Sequence, residues 1–501
     1  FGSSPGSKLV CMCLIPVKES MIWHQLLILS FGAAAASIAP KLGDDTDVDW
    51  WFAYKLNTES FPKCDNSREC IFGGEVQDYS HGYGLQYLLS SHVDGSTSEM
   101  ELKTDCLGSG DDPVAKTFEQ IYGGSAPNYV IWNDQFYSEP EITLDPPCSR
   151  YGKESKSCSA PWAHSKGAMA WDENGNGFVM QVTTPDWPGS GSSSKSRPEQ
   201  GNTLGCSKDD NVLVAQHFFA LKLTPSDTNA MLTAMRHASV VTDPSNSQLV
   251  KLTKGPAHLE SLVRGFGTLD TSKTPSEVTL SSGVKLIVKP QALNVPPWQM
   301  VSALLGESLR TATWWDNPGE IPSTHEGTPG CWSTELNTPK EVQIALDGHW
   351  QGISFGLTGG PGGNHNHAKL GHSLTGSLAI MGDMNQQGSY TPKVRSCDSS
   401  QNGRGGMFFV VDDPTLHGSL KALMTGSTAA YYPPPGPSPG PSPGPGPKSP
   451  CGGAHVHSCH KAGCVYVYSK DVSECAVDAY GCYEETSLPD DCPEKRSSMI
   501  V

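Results

Sequence analysis

The chain has 501 residues, of which 37% are apolar, and it carries a formal charge of -17 at neutral pH with 53 Gly, 39 Pro and 16 Cys. This length can bury a large core and allows two or three domains, while the glycines and prolines favour turns and strands over a helical bundle. Sixteen cysteines are too many for an ordinary cytosolic enzyme and indicate an oxidising compartment.

The amino-terminal segment is typical of a secretory signal peptide. Residues 26–29 form an apolar run, and the small residues at 33–39 suit a cleavage site. The signal reads naturally from Met21, so residues 1–40 are expected to comprise a non-native leader followed by the signal peptide. No later segment has the roughly eighteen consecutive apolar residues that span a bilayer, and the mature chain is expected to have no membrane span.

Residues 41–425 alternate short apolar runs with breaks rich in Gly, Ser and Pro. Buried strands are predicted at residues 212–215, 284–288 and 377–381, and helices at residues 229–237 and 300–309. This mixture predicts an α/β fold, an α+β sandwich, for a catalytic domain that covers residues 41–425.

The tripeptide His164-Ser165-Lys166 is the first feature that carries chemistry. It is followed by residues 171–177, whose Asn and Gly residues are typical of a turn, and by the apolar residues 178–180. The pattern predicts a strand, a turn and a second strand, with His164 near a strand end. Asp172 in the turn is a candidate for orienting a histidine, or else an ordinary turn residue.

A second tripeptide of the same form, His367-Ala368-Lys369, follows about 200 residues later. The predicted strand 377–381 then leads into Gly382-Asp383-Met384-Asn385. Asp383 is a second candidate for orienting a histidine, and Asn385 has an amide that can donate to a phosphate oxygen. Either residue also fits an ordinary turn or cap.

Together the two tripeptides supply the groups that cleave a phosphodiester without a metal. One imidazole can attack phosphorus, the other can protonate the departing oxygen, and two lysines can hold the anionic oxygens. The candidate catalytic residues are therefore His164, Lys166, His367 and Lys369, and no cofactor is expected. Two half-sites suggest two related halves packed face to face, with the cleft on a pseudo-twofold axis.

Residues 426–450 are predicted to be a linker, because a run this rich in proline favours an extended polyproline II spacer with glycine hinges. Residues 451–501 are predicted to be a small module that depends on disulfides. A zinc site that uses His455, His457 and His460 is the alternative, but no clean pair of Cys-x-x-Cys knuckles is present. The attachment of this module through a linker suggests that it binds a glycan, matrix or protein ligand. The module's cysteines are Cys451, Cys459, Cys464, Cys475, Cys482 and Cys492.

The other mature-chain cysteines are most simply four disulfides, since none lies in a motif with a positioned histidine. They are Cys64, Cys70, Cys106, Cys148, Cys158, Cys206, Cys331 and Cys397.

These motifs resemble the deoxyribonuclease II family, acid endonucleases whose fold is related to the phospholipase D superfamily. The resemblance implies two phospholipase D-like halves in one chain that form a pseudo-dimer. It extends over roughly residues 45–425, and its ordered segments are residues 47–56, 129–135, 164–188, 202–206, 367–369, 382–385 and 403–406.

The chain also departs from the family pattern. Family members often have cysteines where Gly371 and Ile380 stand here, and both are missing together, as the two partners of a disulfide would be. Some members have a further histidine on the strand after the first motif, at about the place of Val182. A third catalytic histidine therefore has no obvious position in the sequence.

The resemblance implies a metal-independent acid endodeoxyribonuclease that acts through a phosphohistidine and leaves 3'-phosphate and 5'-hydroxyl ends. His164 is taken as the nucleophile and His367 as the acid by order alone, and the roles can be exchanged. A charge of -17 is unusual for a protein that binds DNA, but protonation of the 16 His would bring it to about -1. The charge thus favours acid conditions, in a lysosome-like or extracellular compartment, or simply keeps the protein soluble.

Two other functions stay open: a phosphodiesterase on a non-DNA ester, and a secreted binding protein with a vestigial nuclease site. A metal site that combines His365, His367 and His372 is a further alternative, although a companion carboxylate is not evident. Otherwise His365 and His372 are expected to be solvated loop histidines. The sequence pattern does not show how many subunits the protein has, so the oligomeric state stays open.

Overall fold

The computed structural model describes residues 37–57, 87–103, 107, 111–137, 142–151, 155–185, 187, 214–316, 320–360, 362–393, 395–432, 465–467 and 481–483. The chain divides into one compact unit up to Tyr432 and a second unit from Pro433 onward. Residues 1–36 of the predicted leader and signal peptide, residues 433–450 of the predicted linker and the segment 202–206 lie outside the described residues. Of the predicted Cys-rich module, the structure describes two antiparallel strands, Val465–Val467 and Gly481–Tyr483.

The larger sheet of the first unit has nine strands among the described residues. They are β1 (Trp50–Lys55), β2 (Tyr87–Val93), β3 (Ser96–Thr97), β4 (Glu101–Lys103), β5 (Asn128–Asn133), β9 (Lys166–Trp171), β10 (Gly177–Val182), β11 (Gln216–Leu223) and β12 (Val250–Leu252). Their order is β12-β5-β9-β10-β11-β1-β2-β3, and β4 pairs with β2.

The second sheet has seven strands within the same described ranges. They are β13 (Ser276–Thr279), β14 (Lys285–Lys289), β15 (Leu309–Ala312), β16 (Val342–Ile344), β19 (Leu370–Ser373), β20 (Leu378–Gly382) and β21 (Gly406–Asp412). Their order is β13-β14-β21-β20-β19-β15-β16. Smaller ribbons are formed by β6 (Gln135–Tyr137), β7 (Ser149–Tyr151) and β8 (Ser155–Ser157), and by β17 (Asp347–Trp350) and β18 (Ile353–Gly356).

Five α-helices lie in the part of the chain that the structure describes: α1 (Pro113–Tyr122), α2 (Pro225–Ala238), α3 (Ala257–Arg264), α4 (Pro297–Leu305) and α5 (Pro414–Leu423). Asp112, Thr224 and Asp413 cap the amino termini of α1, α2 and α5, and each cap precedes a proline whose missing N–H costs nothing in the first turn. Among these helices, none is long and apolar enough to cross a membrane.

The two sheets repeat one order of elements. Along the chain, β1, α1, β5, β9, β10, β11 and α2 are followed by β14, α4, β15, β19, β20, β21 and α5. In space, the order β5-β9-β10-β11-β1 in the first sheet matches β15-β19-β20-β21-β14 in the second, and each of these neighbouring pairs is antiparallel. The tripeptide 164–166 leads into β9, and the tripeptide 367–369 directly precedes β19, which has the matching place in the second sheet.

Side chains of the two sheets meet in a common core. Phe219 of β11 packs against Phe409 of β21 with ring centroids 5.4 Å apart, and Gln181 of β10 donates to Asp383 beyond β20 at 2.9 Å. The predicted mixed α/β architecture is therefore confirmed. The predicted strands at 284–288 and 377–381 correspond to β14 and β20, each shifted by one residue.

Helix ends differ from the predictions because local caps set them. The window 229–237 lies inside α2, which begins earlier because Thr224 and Asp227 form a reciprocal capping box. The predicted helix 300–309 was wrong at its end: α4 stops at Leu305, where Gly306 takes a left-handed conformation with φ of 70°. Residue 309 instead begins β15.

Four of the described cysteines form two disulfides, Cys148–Cys158 and Cys331–Cys397. Both pairs belong to the eight cysteines that were expected to be bridged, and the other four lie outside the described residues. Gly371 and Ile380 stand directly opposite each other in the β19–β20 pair. Their positions are thus those of cross-strand partners, as the joint loss of two cysteines suggested.

Candidate active site

The first tripeptide lies where β9 begins, between β5 and β10. The register places Lys166 opposite Asn133, so Asp134, the next residue after β5, lies beside the lysine. Lys166 Nζ donates to Asp134 Oδ1 at 2.5 Å, and Arg404 Nη2 donates to Asp134 Oδ2 at 2.8 Å. Burial would raise the pKa of Asp134, but the two cations outweigh it and lower this pKa. One buried carboxylate therefore faces one buried cation, Lys166, and one partly buried cation, Arg404.

His164 is 9% exposed and borders the same carboxylate. Its backbone N–H donates to the Gly405 carbonyl at 2.9 Å, and its Nε2 lies 3.8 Å from Asp134 Oδ2. Burial lowers the pKa of His164 well below 6.5, and the nearby lysine and arginine charges lower it further, while the Asp383 carbonyl acts in the opposite direction. The ring is therefore neutral at neutral pH, which is the state that a nucleophile needs.

The second histidine, His367, is held by the first sheet. Its backbone N–H donates to the Ala215 carbonyl at 2.7 Å, and Trp314 packs against its ring edge-on with centroids 5.0 Å apart. Its Nδ1 lies 3.1 Å from Gln216 Oε1, an oxygen that also accepts from Thr183 Oγ1. An amide oxygen can only accept, so Nδ1 carries the proton and the neutral ring has its lone pair on Nε2.

The pKa of His367 is also lowered well below 6.5. Burial is the main cause, followed by the positive charges of Lys369 and Lys166, while the Thr183 carbonyl favours the protonated form. Both histidines thus lie in a positive field that an anionic ligand would offset. A bound phosphodiester is therefore expected to raise both pKa values.

Lys369 is 1% exposed and contacts the backbone of His367. Its Nζ donates to the His367 carbonyl at 2.5 Å, and its backbone N–H donates to His217 Nδ1 at 3.2 Å. Burial and the charge of Lys166 lower the pKa of Lys369 well below 10.5, and the carboxyl groups of Asp134 and Asp383 act in the opposite direction. A phosphate in the site would stabilise its charged form for the same reason.

Asp383 and Asn385 follow β20 and reach the same region. Asp383 accepts from Gln181 Nε2 at 2.9 Å and from the Met407 N–H at 3.1 Å. Burial nevertheless raises the pKa of Asp383 to about 7, so this carboxyl is largely protonated at pH 5. Asn385 is 5% exposed and lines the cavity described next.

One cavity of about 650 Å³ joins the two half-sites. His164 and Lys166 line it from the first sheet, His367 and Asn385 from the second, and Arg404 from the loop before β21. Both disulfides lie close in sequence to residues that line the cavity. Ser159 directly follows Cys158, and Ser400 follows Cys397 by three residues. The cavity combines two neutral imidazoles with fixed cations, a combination that suits an anionic ester.

Asp172 is not brought to this cavity. It lies in the turn between β9 and β10, where its Oδ1 accepts from the backbone N–H groups of Asn174 and Asn176 at 2.8 and 2.9 Å. The whole length of β9 separates it from Lys166. Its hydrogen bonds are those of an ordinary turn residue.

Several functional candidates were missed at the sequence level. Asp134 and Arg404 lie in segments that carried the family resemblance, but neither was given a role. Gln216 and His217 belong to no motif, and the β10–β11 register, which pairs Val182 with Phe218, places His217 on the neighbouring strand. A third buried histidine therefore contacts the site from β11 rather than from the place of Val182.

The histidine cluster 365–372 does not form a common ligand set. His365 Nδ1 lies 3.1 Å from the Gly362 carbonyl, whereas His372 lies in β19, 2% exposed, and packs edge-on against His417. The expectation that His372 is a solvated loop histidine was wrong, and burial lowers its pKa to about 4. Within the described ranges, no group of three or more His, Cys, Asp or Glu residues is placed to hold a metal ion.

Gly167 directly follows Lys166, and its lack of a side chain is required by packing. A Cβ atom there would lie 2.4 Å from the Met180 carbonyl oxygen and 2.4 Å from the Trp132 ring. Gly167→Ala is therefore expected to lower the free energy of unfolding by about 1 to 3 kcal/mol, measured by urea denaturation. Gly418→Ala in α5 is the control, because nothing lies within 4 Å of its Cβ position. If Gly167→Ala is as stable as the unchanged protein, β9 and its neighbours can move enough to accommodate the added methyl group.

A comparison with known families covers the same part of the chain. The family model described as Deoxyribonuclease II matches residues 41–428, which include both tripeptides, Asp134 and Arg404. No curated protein matches the chain.

Proposed function

The chain belongs to the deoxyribonuclease II family, and from this premise we propose that it is a metal-independent acid endodeoxyribonuclease that cleaves DNA phosphodiesters. The observation that carries the proposal is the shared cavity, in which a histidine from each sheet meets Lys166 and Arg404. Family membership supports a nuclease. The pH range, the intermediate and the products are our proposal.

In the first step, neutral His164 attacks the scissile phosphorus while His367, as the imidazolium, donates its Nε2 proton to the departing 5' oxygen. The P–N bond forms as the P–O5' bond breaks, which gives a phosphohistidine and a 5'-hydroxyl. In the second step, His367 accepts a proton from water as the water oxygen attacks phosphorus. The P–N bond then breaks, and a 3'-phosphate is released.

Lys166, Lys369 and Arg404 stabilise the charge that builds on the nonbridging oxygens. Asp134 fixes Lys166 and Arg404 in place through its two oxygens, so these charges need little rearrangement during the reaction. Asn385 lines the cavity and is proposed to donate its amide to a phosphate oxygen. Asp383 is proposed to act indirectly, through Gln181, which lies between it and His217.

The lowered histidine pKa values support action at acid pH. The proton-donating histidine must be charged, and a histidine whose pKa lies well below 6.5 is charged only in acid. The value of kcat/KM is therefore expected to fall as pH rises, with its midpoint below 6.5. The midpoint of kcat should lie at higher pH, because bound phosphate raises the pKa.

Plasmid cleavage at pH 5 and pH 7.5, with and without excess EDTA, tests this proposal. Cutting at pH 5 that survives chelation, with little cutting at pH 7.5, is the expected result. End labelling should detect 5'-hydroxyl and 3'-phosphate ends. Cutting that EDTA abolishes would contradict the metal-independent mechanism, and no cutting by folded protein would contradict the DNA substrate.

We also propose that the two sheets are phospholipase D-like halves of a pseudo-dimer, which the matching strand orders support. The paired backbone contacts, His164 to Gly405 and His367 to Ala215, support the same idea. The domain boundaries given above, secretory entry and a lysosome-like or extracellular site of action are further proposals. They rest on the sequence patterns of residues 21–40 and 426–501.

A further inference from the structure

Two buried lysines occupy matching positions in the two sheets and take no direct part in the proposed chemistry. Lys55 is the last residue of β1 and is 3% exposed, and Lys289 is the last residue of β14 and is 0% exposed. β1 lies beside β11, and β14 lies beside β21. The loops that enter β11 and β21 are therefore within reach of these lysines.

Lys289 donates to backbone carbonyls of the loop before β21. Its Nζ lies 2.7 Å from the Asn402 oxygen, 2.9 Å from the Arg404 oxygen and 3.4 Å from the Pro290 oxygen. The next carbonyl along this loop, that of Gly405, accepts the backbone N–H of His164 at 2.9 Å. Lys289 thus holds the segment on which His164 rests.

Lys55 makes the corresponding contacts before β11. Its Nζ lies 2.7 Å from the Val214 oxygen and 3.3 Å from the Leu56 oxygen. The next carbonyl along the chain, that of Ala215, accepts the backbone N–H of His367 at 2.7 Å. Gln216, which bonds the His367 ring, follows directly.

The arrangement is crossed between the sheets. Lys55 lies in the first sheet and supports the loop before β11, but this loop holds His367, which precedes a strand of the second sheet. Lys289 lies in the second sheet and supports the loop before β21, which holds His164 at the start of a strand of the first sheet. On the basis of the proposed nuclease function, we propose that Lys55 and Lys289 are paired positioning residues. Each holds the loop that seats the histidine of the opposite half.

The need for lysine at these places follows from its donors. Buried carbonyl oxygens require partners, and one ammonium group supplies three N–H donors. Burying a charge is costly for stability, and the hydrogen bonds to these carbonyl oxygens offset part of that cost. Burial lowers the pKa of Lys289 to about 7, and the group therefore keeps its charge in the acid range proposed for activity.

The test compares Lys55→Met and Lys289→Met on two substrates at pH 5. One is a DNA oligonucleotide, and the other is the 4-nitrophenyl ester of thymidine 3'-phosphate, whose leaving group departs without protonation. Lys289→Met displaces the nucleophile and should lose about 10- to 100-fold on both substrates. Lys55→Met displaces the acid and should lose about 10- to 100-fold on DNA but only about 2-fold on the nitrophenyl ester, measured as release of nitrophenol in the first turnover, which precedes the second step that also needs His367.

Lys285→Met is the matched control, since this lysine lies in the same strand as Lys289 but pairs with Glu277 at the surface. Its activity should equal that of the unchanged protein. All rates are normalised to the folded fraction from circular dichroism. If the methionine variants do not fold, Lys55→Gln and Lys289→Gln retain an amide donor and are measured in the same way.

Each outcome decides the proposal. A loss on both substrates by Lys289→Met, with a loss on DNA alone by Lys55→Met, supports the proposal. The same result with the two variants exchanged also supports it, and it reverses the roles of the two histidines. Equal losses on both substrates by both variants, or no loss at all, overturn it. If the unchanged protein cleaves the nitrophenyl ester but not DNA, the DNA proposal fails, and the loss of nitrophenyl ester cleavage by Lys289→Met still decides the role of Lys289. Failure on both esters overturns both proposals.

Discussion

Replacing either His164 or His367 with alanine is expected to lower DNA cleavage at pH 5 by roughly 10⁴-fold or more. Each ring supplies a step that no other group lining the cavity can supply, because His164 forms the P–N bond and His367 transfers the proton. Replacing both should cost no more than the worse single change, since the two act as a unit. Single-turnover cleavage of a labelled oligonucleotide measures all three variants.

His258→Ala provides the control for this series, because His258 is an exposed residue of α3. Its cleavage rate should equal that of the unchanged protein. A single variant that keeps a tenth of the activity would show that its histidine is not required. Losses that multiply in the double variant would show that the histidines act independently.

The catalytic candidates were predictable because each half-site is contiguous in the sequence. His164 and Lys166 are two residues apart, as are His367 and Lys369, so the chemistry of each pair is visible without the fold. That His164, Lys166 and His367 line one cavity, with Lys369 bonded to the His367 carbonyl but not among the lining residues, depends on the packing of the two sheets. The repeated tripeptide suggested this pairing but did not specify any contact across it.

Residues that support the histidines were harder to predict, because they come from other strands. Asp134 reaches Lys166 through the β5–β9 register, and Gln216 reaches His367 across the two sheets. The choice between Asp172 and Asp383 shows the same limit. Both follow a strand within a matched motif, but the turn directs Asp172 to its own backbone, whereas Asp383 is drawn into the contact between the sheets.

The apolar pattern predicted strand and helix interiors better than their ends. β14 and β20 lie within one residue of their predicted positions, because buried strands are marked by continuous apolar runs. The end of α4 depends on the left-handed conformation of Gly306. The glycines and histidines around His372 form no continuous apolar run, so β19, a strand of only four residues, is not apparent from the sequence.

Asp134→Ala is expected to lower the free energy of unfolding by about 3 to 5 kcal/mol at pH 5, because it leaves buried Lys166 and partly buried Arg404 without their carboxylate. Since these cations lower the pKa of Asp134 below its ordinary value of 3.8, its stabilising contribution is complete above that pH and is lost as pH falls through the lowered pKa. The contribution is therefore fully present at pH 5, where urea denaturation measures it.

The same change should alter the chemistry of the site. Without the carboxylate, the two cations lower the pKa of His164 further and are no longer fixed against the phosphate, so kcat/KM should fall by about 100-fold or more. Asp134→Asn keeps the shape and one acceptor oxygen, and it should lose less stability while its pH profile still moves toward acid. Asp172→Ala is the matched control, because its carboxylate bonds only its own turn among the described residues. An Asp134→Asn profile that coincides with that of Asp172→Ala would show that the charge of Asp134 does not act on the histidines.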